Sequence, residues 1–206
     1  MELISIVILL FIILFSVILH EFCHGYAAYL NGDNTAMMMG RLTFNPLPHI
    51  DPFSTILLPI MLLVLTGGRF GIGMAKPVPI NPLRFRDYDK GMLAVGLAGP
   101  GSNIVLGIFL ALMSRLFLHS NVVQFFILGS AINFLLAFFN LIPIPPLDGS
   151  RVLSVFLPRR LRFRYEQMER YGIIIVLAFI FMGGLLWLGP LIFTVVKFFS
   201  GVEIKL

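Results

Sequence analysis

Five consecutive residues, His20-Glu21-Phe22-Cys23-His24, form an H-E-x-x-H pattern. Side chains four residues apart on a helix share a face, so His20 and His24 can offer two imidazoles to one metal ion. Glu21, beside them, is placed to take a proton from metal-bound water. In a water-soluble protein this spacing points to zinc-dependent hydrolysis of peptides. Here it lies inside Leu3–Leu30, LISIVILLFIILFSVILHEFCHGYAAYL, an apolar run long enough to cross a bilayer. Histidine and glutamate in such a span are costly and by default functional. The combination implies metal-assisted hydrolysis within a membrane. A plainer reading has the histidines bonding to neighbouring helices and Glu21 facing water, but it must carry three polar groups in one apolar turn.

A catalytic zinc usually has three protein ligands and a water. The best third ligand is Asp148, in N-L-I-P-I-P-P-L-D-G from Asn140 to Gly149. Pro143, Pro145 and Pro146 cannot continue a helix, so the preceding span must unwind there. Irregular backbone at membrane depth is tolerated where it is buried in protein or lines a wet cavity, and a carboxylate on it is a credible ligand arm. The competing role for Asp148 is to cap a helix starting near Ser150. Asp51 and His49 are runner-up ligands that better suit turns. Asn140 could hydrogen-bond a substrate backbone or an oxyanion, or simply end its helix. Asn103 suits an interhelical hydrogen bond, Cys23 suits packing, and His119 has no evident partner. Zinc is preferred on ligand type, although manganese or cobalt suits the same donors.

The elements that must position these groups are membrane helices. The chain has 206 residues, 58% hydrophobic and 12% charged, against about 25% charged in soluble domains. One cysteine excludes an internal disulfide. The net charge of +5 reads as cytoplasmic loops and contact with anionic lipid rather than nucleic acid. The first apolar run lacks a basic leading region and continues into HEFCH, so it is not expected to be a cleaved signal. The expected fold is an all-α polytopic membrane protein forming a single domain, 1–206. It has about four full spans (3–30, 91–118, 121–142 and 171–199), the last bent or broken at Gly183-Gly184 and Gly189-Pro190. Short membrane-associated β-strands are expected at 36–44 and 70–80, and a basic amphipathic stretch at 159–170.

Geometry constrains the remaining segment. His20 lies about 26 Å along the first helix, near the far side of a roughly 30 Å core, and Asp148 follows the end of its own span. The two helices must therefore run parallel. That requires the apolar segment 53–66 to be re-entrant or interfacial, as its shortness also suggests. Residues 31–90 and 143–170 then share one side and carry 12 of the 15 Lys and Arg residues, which makes that side cytoplasmic.

With HEFCH in the first span, GPGSN (Gly99–Asn103) in the next full one and N-x-x-P-x-P-x-x-D-G after the following one, the chain resembles the site-2 proteases, intramembrane zinc metalloproteases of the M50 type. The resemblance covers roughly Leu14 to Leu157. It implies one zinc ion held by His20, His24 and Asp148, with Glu21 as general base and Asn140 helping to hold substrate. It implies cleavage within transmembrane or membrane-anchored protein substrates, often after a first cut by a site-1-type protease. The length resembles the small bacterial or archaeal forms, with no room for a PDZ domain and no CBS domains after the core. A transporter or metal-ion channel, or an inactive relative that binds transmembrane helices, are the alternatives. The absence of repeat symmetry and the intact Glu21 count against them.

Overall fold

A computed structural model describes residues 3–57, 60–61, 64, 67, 76–118 and 122–202. The helix α1 spans Leu3–Leu30. A short helix α2, Thr35–Met38, and helical turns at Leu47–His49 and Pro52–Leu57 follow. Then come α3 (Tyr88–Leu116), α4 (Val123–Asn140), α5 (Asp148–Phe156), α6 (Arg159–Glu166), α7 (Gly172–Phe181) and α8 (Gly184–Ser200).

Three of these, α1, α3 and α4, are long and apolar enough to cross a membrane. They are inverted relative to soluble helices. On α1 the buried face carries Ser16, His20, His24 and Ala28, while Ile4, Val7, Leu10, Phe11 and Leu14 are exposed. On α3 the buried residues include Gly91, Val95, Gly99, Asn103, Gly107 and Ala111, and on α4 Gly129, Asn133 and Ala137. Each set recurs at every fourth residue. Small and polar side chains on such a stripe let membrane helices approach closely, because lipid offers no apolar contrast to drive them together. The helix α3 is central: it packs on α1, α4, α5 and α8. Phe134 of α4 fills the space against Ile192 and Val196 of α8, and the expected shape of an all-helical membrane protein holds.

Two expectations are corrected. The first is the number of full spans: 171–199 breaks beside Gly183-Gly184, as expected, and is not a full span of its own like the other three. The helical stretch Arg159–Phe181, which ends in α7, is set at 70° to α8 across a break at Met182–Gly183. Among the described residues there are thus three spanning helices and one broken pair. Pro190 lies inside α8 without interrupting it.

The second correction concerns the strands at 36–44 and 70–80. Among the described residues there is no strand. Part of the first piece is α2, and residues 70–75 lie outside the described residues. Residues 76–81 form an extended strap fastened by single contacts rather than a ladder. The Lys76 N–H donates to His49 O (2.9 Å), Val78 N–H to Glu21 Oε2 (2.8 Å) and Asn81 N–H to Asp33 Oδ2 (2.6 Å). The Arg41 guanidinium donates to the carbonyls of Lys76 (2.9 Å) and Pro77 (3.2 Å). Pro77 and Pro79 have no N–H to give a ladder, which is the physical reason none forms. Within the segment 53–66, residues 58–59, 62–63 and 65–66 lie outside the described residues, as does His119.

A candidate metal centre between three helices

The HEFCH turn sits where α1 crosses α3. His20 and His24 are both buried, at 7% and 4% exposure. After α4 ends at Asn140 the proline-rich segment folds back, and Asp148 becomes the first residue of α5. Its preceding residue, Leu147, occupies the capping position, so the carboxylate is not spent on a helix cap. Gly149 makes that turn feasible, since a Cβ there would lie 2.1 Å from the Leu141 carbonyl oxygen.

Asp148 Oδ2 lies 3.1 Å from the Nε2 atoms of both His20 and His24, and those two nitrogens are 2.9 Å apart. Arg151 Nη1 approaches the other oxygen, Oδ1, at 3.9 Å. These are the residues sequence reasoning placed together, and among the described residues they form the one metal-capable group of His, Cys, Asp and Glu. Residues His49 and Asp51 do not join it. His49 is buried with its Nε2 3.0 Å from Thr43 O, and Asp51 N–H donates to Thr55 Oγ1 within a turn. Cys23 is half-buried outside the cluster.

The chemistry of the three atoms suits a cation. His24 Nδ1 is 2.8 Å from the Val95 carbonyl, which can only accept, so Nδ1 carries the proton and Nε2 a lone pair. His20 Nδ1 meets Asn103 Oδ1 at 2.6 Å and is protonated in the same way. Three acceptors thus converge with no proton among them, an arrangement a metal ion resolves. A tetrahedral ion with bonds of about 2.0–2.2 Å separates its ligand atoms by about 3.4 Å, close to what is seen.

The cluster depends on a close approach. A Cβ on Gly99 would lie 2.4 Å from His24 Nε2 and 2.7 Å from His20 Cε1, so the first glycine of GPGSN leaves the space the two rings occupy. Glu21, next to His20 in the chain, is half-buried and held by the Val78 N–H. Asn140, the last residue of α4, donates its amide to Leu136 O (2.8 Å). What sequence reasoning missed are the supports: the Val95 carbonyl, Asn133, Ser16 and the strap. A backbone carbonyl leaves no trace in residue type, and the signal for Asn133 and Ser16 was only that each is polar in an apolar span.

A bundle of apolar helices that turns an H-E-x-x-H face toward a carboxylate defines the class of membrane-embedded metallopeptidases. Comparison with known proteins agrees: residues 114–183 match the family described as Peptidase family M50. The chain is 37% identical to YwhC of Bacillus subtilis over 170 residues, covering 78% of this chain and 74% of that protein. It is 31% identical to Rip2 of Mycolicibacterium smegmatis, covering 92% and 73%. It is also 31% identical to MJ0392 of Methanocaldococcus jannaschii, covering 73% of this chain but 35% of that longer protein. The names of all three class them with the zinc metalloproteases. The chain belongs to peptidase family M50, the site-2 protease family, and is an integral membrane protein. No solved structure matches it.

Proposed function

We propose that this chain is a zinc endopeptidase that hydrolyses peptide bonds within or next to the transmembrane segments of other membrane proteins. The observation that carries the reading is the convergence of His20 Nε2, His24 Nε2 and Asp148 Oδ2 within 3.1 Å, inside apolar helices. In this reading those three residues hold the metal. Zinc, when bound, supplies a Lewis acid that polarises the scissile carbonyl and makes water acidic enough to attack it. Glu21 takes the proton from that water and returns it to the leaving amine. Its carboxylate is steadied for the task by the Val78 N–H. Asn140 steadies the substrate backbone, releasing its contact with Leu136 O to do so.

The substrate must present an unwound stretch of chain, since a helix hides its peptide bonds. Residues 1–206 act as one membrane metalloprotease domain in a bacterial or archaeal cell membrane, with the site toward the cytoplasm, where the basic residues lie. A membrane-anchored substrate already trimmed by a site-1-type protease fits this access. The test is cleavage of a reporter transmembrane helix by purified protein, comparing wild type with Glu21→Gln and quantifying zinc in both. The reading expects about one zinc in each and cleavage by wild type alone, with Glu21→Gln lowered by a factor of at least about 100. Zinc-free wild type would sink it.

A further inference from the structure

The inner nitrogen of His20 can bind a metal only if its outer nitrogen keeps the proton, and the structure shows what enforces that. His20 Nδ1 faces Asn103 Oδ1 (2.6 Å). An amide facing an imidazole could equally present its NH2 group, which would force the opposite tautomer and turn Nε2 into an N–H. Asn103 has no such freedom. Its Nδ2 lies 3.2 Å from the backbone carbonyl of Ser16 and 2.9 Å from Asn133 Oδ1. The Ser16 carbonyl can only accept, so that end of the amide must be the donor.

The same argument runs one residue further. Asn133 Nδ2 lies 2.8 Å from the Gly129 carbonyl and 2.9 Å from Ser16 Oγ. The Gly129 carbonyl fixes that end as NH2, which turns Oδ1 toward Asn103. Ser16 Oγ in turn donates to the Ile12 carbonyl (2.7 Å), which leaves its lone pair for Asn133. Three backbone carbonyls, those of Ile12, Ser16 and Gly129, therefore set the direction of every hydrogen bond in the chain. Ser16, Asn103 and Asn133 are all at 0% exposure, so water cannot reverse it.

We propose that Ser16, Asn133 and Asn103 form a directional relay that holds His20 as its Nδ1–H tautomer, making Asn133 and Ser16 positioning residues of the metal centre although neither touches it. The inference rests on His20 being a metal ligand. Partners of this kind on a ligating histidine typically alter metal affinity by about 10–100-fold.

The test measures zinc affinity of metal-stripped protein in detergent, by competition with a chelator of known affinity, alongside thermal stability. Cobalt(II) spectra report the geometry of the bound ion independently of activity. Asn133→Ala is expected to raise the zinc Kd about 10–100-fold and to shift the cobalt bands, with Ser16→Ala giving a smaller change in the same direction. Ser130→Ala is the control. Ser130 is equally buried on α4 and bonds to the Gly107 carbonyl (2.8 Å), outside the relay, so its loss is expected to lower stability and leave Kd unchanged. If Asn133→Ala does not fold, Ser16→Ala decides. Variants that lose stability like the control yet bind zinc as wild type does would overturn the relay while leaving the proposed function intact. Wild type that takes up no zinc would overturn both.

Discussion

At the scale of single residues, the centre is sensitive to volume as well as to charge. Gly99 faces the two imidazoles so closely that one methyl group would occupy their place. Gly99→Ala is expected to abolish zinc uptake while the helical circular dichroism persists, because the ring nitrogens, not the helix, must move. The unchanged zinc content of Gly101→Ala, where a Cβ meets nothing within 4 Å, checks that the effect is local. The convergence of His20, His24 and Asp148 was legible because each is an expensive residue in an apolar or proline-broken setting. The sequence signal for Asn103 was a polar residue with an expected interhelical bond. Its role on His20 could not be seen, because that depends on which end of the amide points inward.

At the scale of elements, the stretch from Leu30 to Tyr88 shows how a segment without regular structure is held. Asp33, at 0% exposure, receives the Asn81 N–H at 2.6 Å and the N–H of Thr35 at 3.0 Å, besides the Thr35 hydroxyl. Burial pushes its carboxyl up, but these hydrogen bonds and the nearby Arg84 outweigh that and hold it below its ordinary value of 3.8. A depressed carboxylate stabilises the fold above its unfolded pKa, and that gain is lost as pH falls through the folded value. Asp33→Asn is therefore expected to lower the melting temperature at pH 7, with the gap to wild type closing below about pH 3.8; a pH series of thermal melts reads it. Losing hydrogen bonds to a charged group costs about 1.5–3 kcal/mol.

The helices were easier to read than this stretch. The first helix begins and ends where the apolar run does, and α3 and α4 lie within three residues of expectation. Local composition dictates a long apolar helix. The strap was read as strand because Gly and Pro exclude helix, but excluding helix does not supply a pairing partner. Its fastenings join residues 27 to 57 positions apart, which no local pattern reveals.

At the scale of the molecule, the metal centre is a clasp. It joins α1 to the start of α5, and the relay ties α1 to α3 and α4. A ligand that binds only the folded state stabilises it by mass action, by about 4 kcal/mol at a thousand times its Kd. Chelating zinc is thus expected to lower the melting temperature of wild type by several degrees, whereas Asp148→Ala should melt at the same temperature with or without chelator. The broken pair α7 and α8 lies outside this clasp and joins the bundle through the packing of α8 on α3 and on Phe134 of α4. Phe134→Ala is expected to cost about 3–5 kcal/mol while zinc affinity of the folded fraction stays within about twofold, because Phe134 is not among the groups that hold the centre.

The separation of the clasp's parts along the chain also sets when it can close. His24 and Asp148 are 124 residues apart, and ribosomes add roughly 5–20 residues per second. About 6–25 seconds therefore pass between synthesis of the first ligands and the last. During that interval the first helix holds only part of the candidate centre, because Asp148 has not yet been made. The order of these residues along the chain thus delays assembly of the centre until the third span, α4, is complete and the chain has turned back.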